Sequence, residues 1–188
     1  MPDPHAPTDR LSASEPGSGT GGDLGEEMRG LLRRMASPVT VVTCWADGKP
    51  QGATIGSFAS LSLSPPLVSF NVQRQGRFHA AITQAERFAV HALAADQAAV
   101  ADRFATSGDD AEDLLTPSTV GLDVPTLAGS QGILVCQPYA QHRIGDHTLM
   151  IGQVIGVRPG EGEHPLLYHL QSYRSVGSPA DEGKPSGP

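Results

Sequence analysis

Two long β-prone runs, GILVCQPYAQHRI (Gly132 to Ile144) and HTLMIGQVIGVRPG (His147 to Gly160), are separated by only Gly145 and Asp146. A parallel crossover needs a dozen residues or more, so the second strand must turn back along the first. Gly145 permits the tight turn. The other apolar runs fit the same scheme. VTVVTCW (Val39 to Trp45) and a strand near Gln51 to Ile55 flank Asp47-Gly48, a hairpin signal. LVSFNV (Leu67 to Val72) and RFAVHAL (Arg87 to Leu93) read as further strands, and PLLYHLQSYRSVG as a last short strand with an extended tail. Strands arrive mostly without intervening helices, which disfavours a doubly wound parallel sheet. The expectation is a mainly β fold, an antiparallel barrel with a few peripheral helices.

The predicted helices are few. Leu24, Met28, Leu31, Leu32 and Met35 recur at helical spacing, with Asp23 as a candidate cap and Ser37-Pro38 as the end. FHAAITQAE is a short helix. AADQAAVADRFA is another, with Asp96 as N-cap and Val100 and Phe104 at i, i+4. Thr106 to Pro125 reads as an acidic loop with a short helix around Ala111 to Leu115.

Composition sets the limits. Of 188 residues, the first 27 are rich in Pro, Gly, Ser and Asp and poor in large apolar residues. Such a segment cannot bury enough surface to offset its ordering entropy, so residues 1–27 are expected to be a disordered tail, and 178–188 likewise. Residues 28–177 remain as one domain. The net charge is -7 and no basic cluster exceeds Arg33-Arg34, which argues against a nucleic-acid partner. No apolar run has the length of a membrane span, and the N-terminus lacks a signal-peptide pattern, so the expected location is the cytoplasm. Cys44 and Cys136 read as buried free thiols, and no metal spacing occurs. Gly17, Gly19 and Gly22 satisfy G-x-G-x-x-G only formally, without the strand–turn–helix context that a dinucleotide fingerprint needs.

Hydroxyls are dense at Thr54, Ser57, Ser60, Ser62 and Ser64, with Phe58 and Leu61 among them and Pro65-Pro66 as a stop. Alternation at Ser60, Ser62 and Ser64 predicts one polar strand face, the other reaching a core. Small hydroxyls let backbone approach a flat ligand and bond its edge. A polar edge strand would show the same pattern.

The segments MRGLLRRMASPVTVVT, GATIGSFASLSLSPPLVSF, RFAVHALAADQAAVADRFA, GDHTLMIGQV and PLLYHLQSYR, in this order, resemble the flavin reductase-like family, short-chain flavin reductases that feed reduced flavin to two-component monooxygenases. The resemblance runs from Met28 to Val176. It implies an antiparallel, Greek-key FMN-binding split β-barrel, usually a homodimer with flavin near the subunit interface. It implies hydride transfer from NADH or NADPH to FMN, with FAD and riboflavin as alternative acceptors and a transient monooxygenase partner. It also implies that Thr54, Ile55, Ser57 and Phe58 line the isoalloxazine and that Ser60, Leu61 and Ser62 continue along the ring and ribityl chain. The phosphate would sit at Arg74 to Phe78, on a helix N-terminus. Here Gly76 stands where a hydroxyl is common and Phe78 where Thr often is, while Arg77 keeps the charge and Arg74 is placed to help. Gly56 and His91 stand where the family often has other polar residues. His91 either packs within its strand or faces the flavin.

On its residues alone, Gly145-Asp146-His147 reads as a surface turn between two strands or as a carboxylate set beside an imidazole for chemistry. The resemblance makes His147 a positioning and electrostatic residue on the nicotinamide side, with Asp146 holding its imidazole or simply making the turn. His142, Tyr139 and Tyr173 are weaker candidates, and Tyr173 either covers the cleft or packs on the barrel. Hydride transfer needs no acid or base on the protein, only alignment and donors for the charge that develops on the ring. A non-catalytic FMN-binding carrier or sensor, or a reductase of ferric complexes with FMN as resident cofactor, would use the same fold.

Overall fold

The computed structural model describes residues 21–106, 111, 113–117, 123–162 and 164–176. It divides into two units, 1–34 and 35–188. In the first, helix α1 spans Gly21–Leu32. It begins inside the segment expected to be a disordered tail, and Asp23 lies within the helix rather than at its cap. Gly17 and Gly19 fall outside the described residues.

The second unit is built on a seven-stranded sheet in the order β3-β2-β6-β9-β10-β5-β4. Its strands are β2 (Thr40–Ala46), β3 (Lys49–Ile55), β4 (Ala59–Leu63), β5 (Pro66–Gln73), β6 (Phe88–Ala92), β9 (Gly132–Ile144) and β10 (His147–Pro159). Every pairing in it is antiparallel, and its two edges are β3 and β4. Strand β1 (Ser37–Pro38), β11 (Leu166–His169) and β12 (Ser172–Ser175) form a small second sheet, and β7 (Leu115–Pro117) pairs with β8 (Pro125–Leu127). Helices α2 (Arg77–Gln84) and α3 (Ala98–Thr106) complete the unit.

The turns explain the hairpins. Gly145 takes φ +57°, and His147 pairs with Ile144 across the two-residue loop. Asp47 and Gly48 both have positive φ, +50° and +73°, as a type I′ turn requires. Leu170 and Gln171 do the same at +48° and +58°. The C-terminal segment read as an extended tail is therefore a hairpin, β11 against β12. Neither residue is a usual left-handed former, which is why the turn escapes sequence reading.

Strand β2 is the hub and is buried on both faces. Val42 and Cys44 join a core with Phe70, Ile82, Phe88 and Met150, under α2. Val39, just before β2, and Val41 join a second core with Leu93, Phe104 and Leu166, under α3 and the C-terminal hairpin. Phe70 and Phe88 meet edge to face at 5.5 Å. Gly152 lies against this pair: a Cβ there would stand 2.3 Å from Phe88 Cζ, so only glycine lets β10 pass. Cys44 and Cys136 are buried free thiols, each pushed up to about 12 by desolvation.

Two local expectations are corrected. Helix α3 starts at Ala98, and its first bond runs from Ala101 N–H to Gln97 O at 3.0 Å. Asp96 thus stands one residue outside the cap; the Gln97 side chain instead accepts from Ala94 N–H at 2.9 Å. Strand β4 does not bury its apolar face: Leu61 is 52% and Leu63 88% exposed. A register shift between Ser60 and Ser62 interrupts its pairing with β5, and among the described residues no strand pairs along its other edge. His91 is settled as a packed strand histidine. It is fully buried, bonds Val41 O through Nδ1 at 3.0 Å, and accepts from Leu127 N–H through Nε2 at 3.1 Å. Desolvation pushes it down to about 4, so it is neutral with its proton on Nδ1.

Candidate functional site

Five segments converge on one cleft of about 480 Å³, within the size range of ligand sites, roughly 300–1,000 Å³. They are the end of β3 with the turn after it (Gln51 to Ser57), the end of β5 (Asn71 to Gln73), the start of α2 (Gly76 to Phe78), the end of α3 (Phe104 to Thr106), and His147 at the start of β10. The packing of α3 on β3 makes one wall. Gly52 permits it, since a Cβ there would stand 2.8 Å from the Phe104 ring. Thr54 Oγ1 ties it by donating to Ala101 O at 2.6 Å.

The turn after β3 is fastened to β5. Ser57 Oγ accepts from Asn71 N–H at 2.9 Å and bonds Asn71 O at 3.5 Å. Asn71 and its neighbours come from a strand that alternates out of the core at Asn71 and Gln73. At the far end, Gly76 caps α2 without any side-chain bond to the helix N-terminus; His79 N–H donates to Gly76 O at 3.1 Å, which leaves the Arg77 and Phe78 N–H groups for an anion. Arg77 stands beside them and donates from Nη2 to Thr106 O at 3.5 Å, spanning α2 and α3. No carboxylate lines the cleft among the described residues.

His147 opposes Gln73 across the β10–β5 ladder. Its Nδ1 lies 2.7 Å from Asp146 Oδ1, so Nδ1–H donates to the carboxylate and Nε2 is left to serve the cleft. The His147 hydrogen bond holds the Asp146 carboxyl below the usual carboxylate range. Arg74 N–H bonds Asp146 O at 2.9 Å, and Arg74 Nη1 donates to Gly145 O at 3.3 Å, which fixes the turn. His79 Nε2 and Thr148 Oγ1, at 2.9 Å, join α2 to the same strand.

The cleft brings together Thr54, Ile55, Ser57, Gly76, Arg77 and His147 of the residues expected in a site. Phe58 instead packs on the core. Ser60, Leu61 and Ser62 lie on β4, outside the cleft lining. Asp146 reaches it only through His147 and faces a neighbouring cleft with Arg74 and Arg143. Tyr173 donates to Asp102 Oδ1 at 2.9 Å and stacks edge to face on Tyr168 at 5.4 Å. It lines a separate cleft that shares Thr54, Gly56 and Ala105 with the main one. Desolvation and the Asp102 carboxylate push its hydroxyl up to about 12. Tyr139 and His142 sit exposed on β9. Sequence reading missed Asn71, Gln51 and Phe104. The polar interruption of LVSFNV at Asn71 was the one local signal available.

Among the described residues no group of three or more His, Cys, Asp or Glu side chains is placed to hold a metal. Nor is any helix there long and apolar enough to cross a membrane.

The chain is similar to several known proteins. The FMN reductase (NADH) of Agrobacterium fabrum is 35% identical over 148 residues, 79% of this chain and 84% of that protein. The reductase component of a 4-nitrophenol 4-monooxygenase/4-nitrocatechol 2-monooxygenase from Rhodococcus opacus is 35% identical over 158 residues, covering 80% and 83%. The structure of a Streptomyces globisporus NADH:FAD oxidoreductase, in complex with NAD and FAD fragments, superposes with a TM-score of 0.76 at 31% identity, covering 84% of this chain and 95% of that one. The model of the flavin reductase like domain matches residues 32–177, and the chain belongs to that family.

Proposed function

We propose that this protein is a flavin reductase that transfers a hydride from NADH or NADPH to FMN, or to FAD, and supplies the reduced flavin to a partner monooxygenase. The observation that carries this reading is the main cleft itself. Its walls are small at Gly52, Ala53 and Gly56, its charge comes from Arg77 and not from a carboxylate, and it ends on a helix N-terminus without a side-chain cap. These features fit a flat ring with a phosphate tail. Flavin, when bound, would supply a ring that accepts a hydride, one proton with two electrons. Arg77 and the first turn of α2 hold the phosphate. Thr54 to Ser57 lie along the ring, kept rigid by the Ser57–Asn71 bonds. Asp146 orients His147, whose Nε2 faces the nicotinamide side.

The same reading makes the antiparallel sheet a split barrel in a domain spanning 28–177, with a homodimer in the cytoplasm. The uncovered apolar residues Leu61 and Leu63 on the β4 edge support the dimer. Tyr173, Phe58, Ser60, Leu61 and Ser62 contribute at the margins of the cleft or through such a dimer.

The test is NADH or NADPH oxidation followed at 340 nm with added FMN. Turnover that depends on FMN is expected. A protein that stays yellow and is silent to both nicotinamides would instead be a carrier. His147→Ala should lower kcat roughly 10- to 100-fold through lost alignment and change the Kd for FMN by less than about threefold. A collapse of FMN affinity with unchanged nicotinamide kinetics would remove His147 from the nicotinamide side.

A further inference from the structure

Beyond the phosphate end of the main cleft lies a second one of about 310 Å³. Gln51 and Arg77 line both. Its other walls include Trp45 at the end of β2, Asp47 in the hairpin turn, and Ala80 and Gln84 on α2. We propose that this cleft takes the adenylate half of FAD, so that the protein binds FAD more tightly than FMN. The proposal rests on the flavin reading above and extends it to the choice of flavin.

The path is set by Arg77. A guanidinium that lines two adjoining clefts can bond phosphate oxygens from both sides, because it carries five donors in a planar fork. FMN ends at its single phosphate. FAD continues through a second phosphate to ribose and adenine, and the continuation past Arg77 is this cleft. Residues 77, 80, 81 and 84 fall at i, i+3, i+4 and i+7, so one face of α2 forms the wall. Ala80 on that face is exposed and small, which leaves width between helix and hairpin.

The chemistry of the walls suits a nucleoside. Trp45 Nε1 is buried without a hydrogen-bond partner among the described residues. The indole can therefore offer the cleft only carbon, a platform on which a base stacks. Asp47 supplies an acceptor for ribose hydroxyls, and the Gln51 and Gln84 amides supply both donors and acceptors for a base edge. His147 is not part of this cleft, which favours flavin adenylate over that of the nicotinamide dinucleotide.

The experiment is titration of the full chain with FMN and FAD, read by flavin fluorescence quenching. FAD should bind at least about tenfold more tightly, the scale of one stacked base. Ala80→Phe fills the cleft from an exposed helix position and should bring the FMN-to-FAD ratio of Kd values close to one. Gln84→Glu, which takes the amide donor away from the base edge and sets a carboxylate in the cleft, should move the ratio the same way. Circular dichroism and Tm report whether each variant folds. Equal affinities in the unsubstituted protein would overturn the proposal, as would an FAD advantage that survives both substitutions. A rise in the KM for NADH with FMN as acceptor in Ala80→Phe, at an unchanged flavin ratio, would also overturn it and place the nicotinamide dinucleotide in the cleft. Failure to bind either flavin would instead sink the reductase reading.

Discussion

Replacing His91 by leucine should lower the stability of the protein by about 3 kcal/mol and its Tm by roughly 10 °C. The imidazole bridges two elements inside the molecule: Nδ1–H donates to Val41 O in β2, and Nε2 accepts from Leu127 N–H in β8. Leucine fills much of the volume but leaves a buried donor and acceptor unpaired, and each such group costs about 1–3 kcal/mol. The same site governs acid stability. His91 titrates near 4 in the folded protein, against 6.5 for the ordinary side chain. Between those values the unfolded chain takes up a proton that the folded one refuses. Its contribution is therefore complete above pH 6.5 and falls as pH drops toward 4, by about 3 kcal/mol in all. Urea melts of the parent and of His91→Leu across pH 4 to 7.5 check both points. The variant should be weaker at neutral pH and flatter across the interval; a parallel pH slope in the two proteins would mean that His91 is not the group responsible.

Arg77→Ala should weaken FMN binding by about 10- to 100-fold, the worth of charge-assisted hydrogen bonds to a phosphate of about 1.5–3 kcal/mol. Riboflavin has no phosphate and should lose less than about twofold. The contrast matters because Arg77 also spans α2 and α3 through Thr106 O. If its importance lay in that span alone, both flavins would suffer equally. Fluorescence titration of both ligands on both proteins decides the matter, and equal losses would remove Arg77 from the phosphate site.

Much of the fold was legible because local and long-range preferences agree. The Gly145-Asp146 and Asp47-Gly48 turns, the β-branched β2 and the helical spacing before Phe104 each announce their element. The failures have physical causes. Asp96 looked like a cap because the type is right, but the chain makes its cap one residue later. The hairpin at Leu170-Gln171 lacks any residue that favours positive φ. The serine-rich segment misled most: its alternation was read as a buried and a polar face, whereas β4 is an edge strand with a register shift, and its leucines face outward. Ser60, Leu61 and Ser62 thereby fall outside the cleft, although Thr54 and Ser57 a few residues earlier lie in it. Phe104 carries no local mark of its place there, since it looks like core, and Asn71 shows only a polar interruption that any outward strand position could make. Their roles arise only when α3 lies over β3 and β5 runs beside the turn. Tyr173, chosen by resemblance, is drawn away by its bond to Asp102.

The most direct test of the flavin cleft is titration of the purified full chain with FMN. Flavin fluorescence should be quenched to saturation. The Tm should climb with ligand concentration as binding to the folded state alone demands. The absence of both quenching and a Tm shift at millimolar FMN would contradict the account.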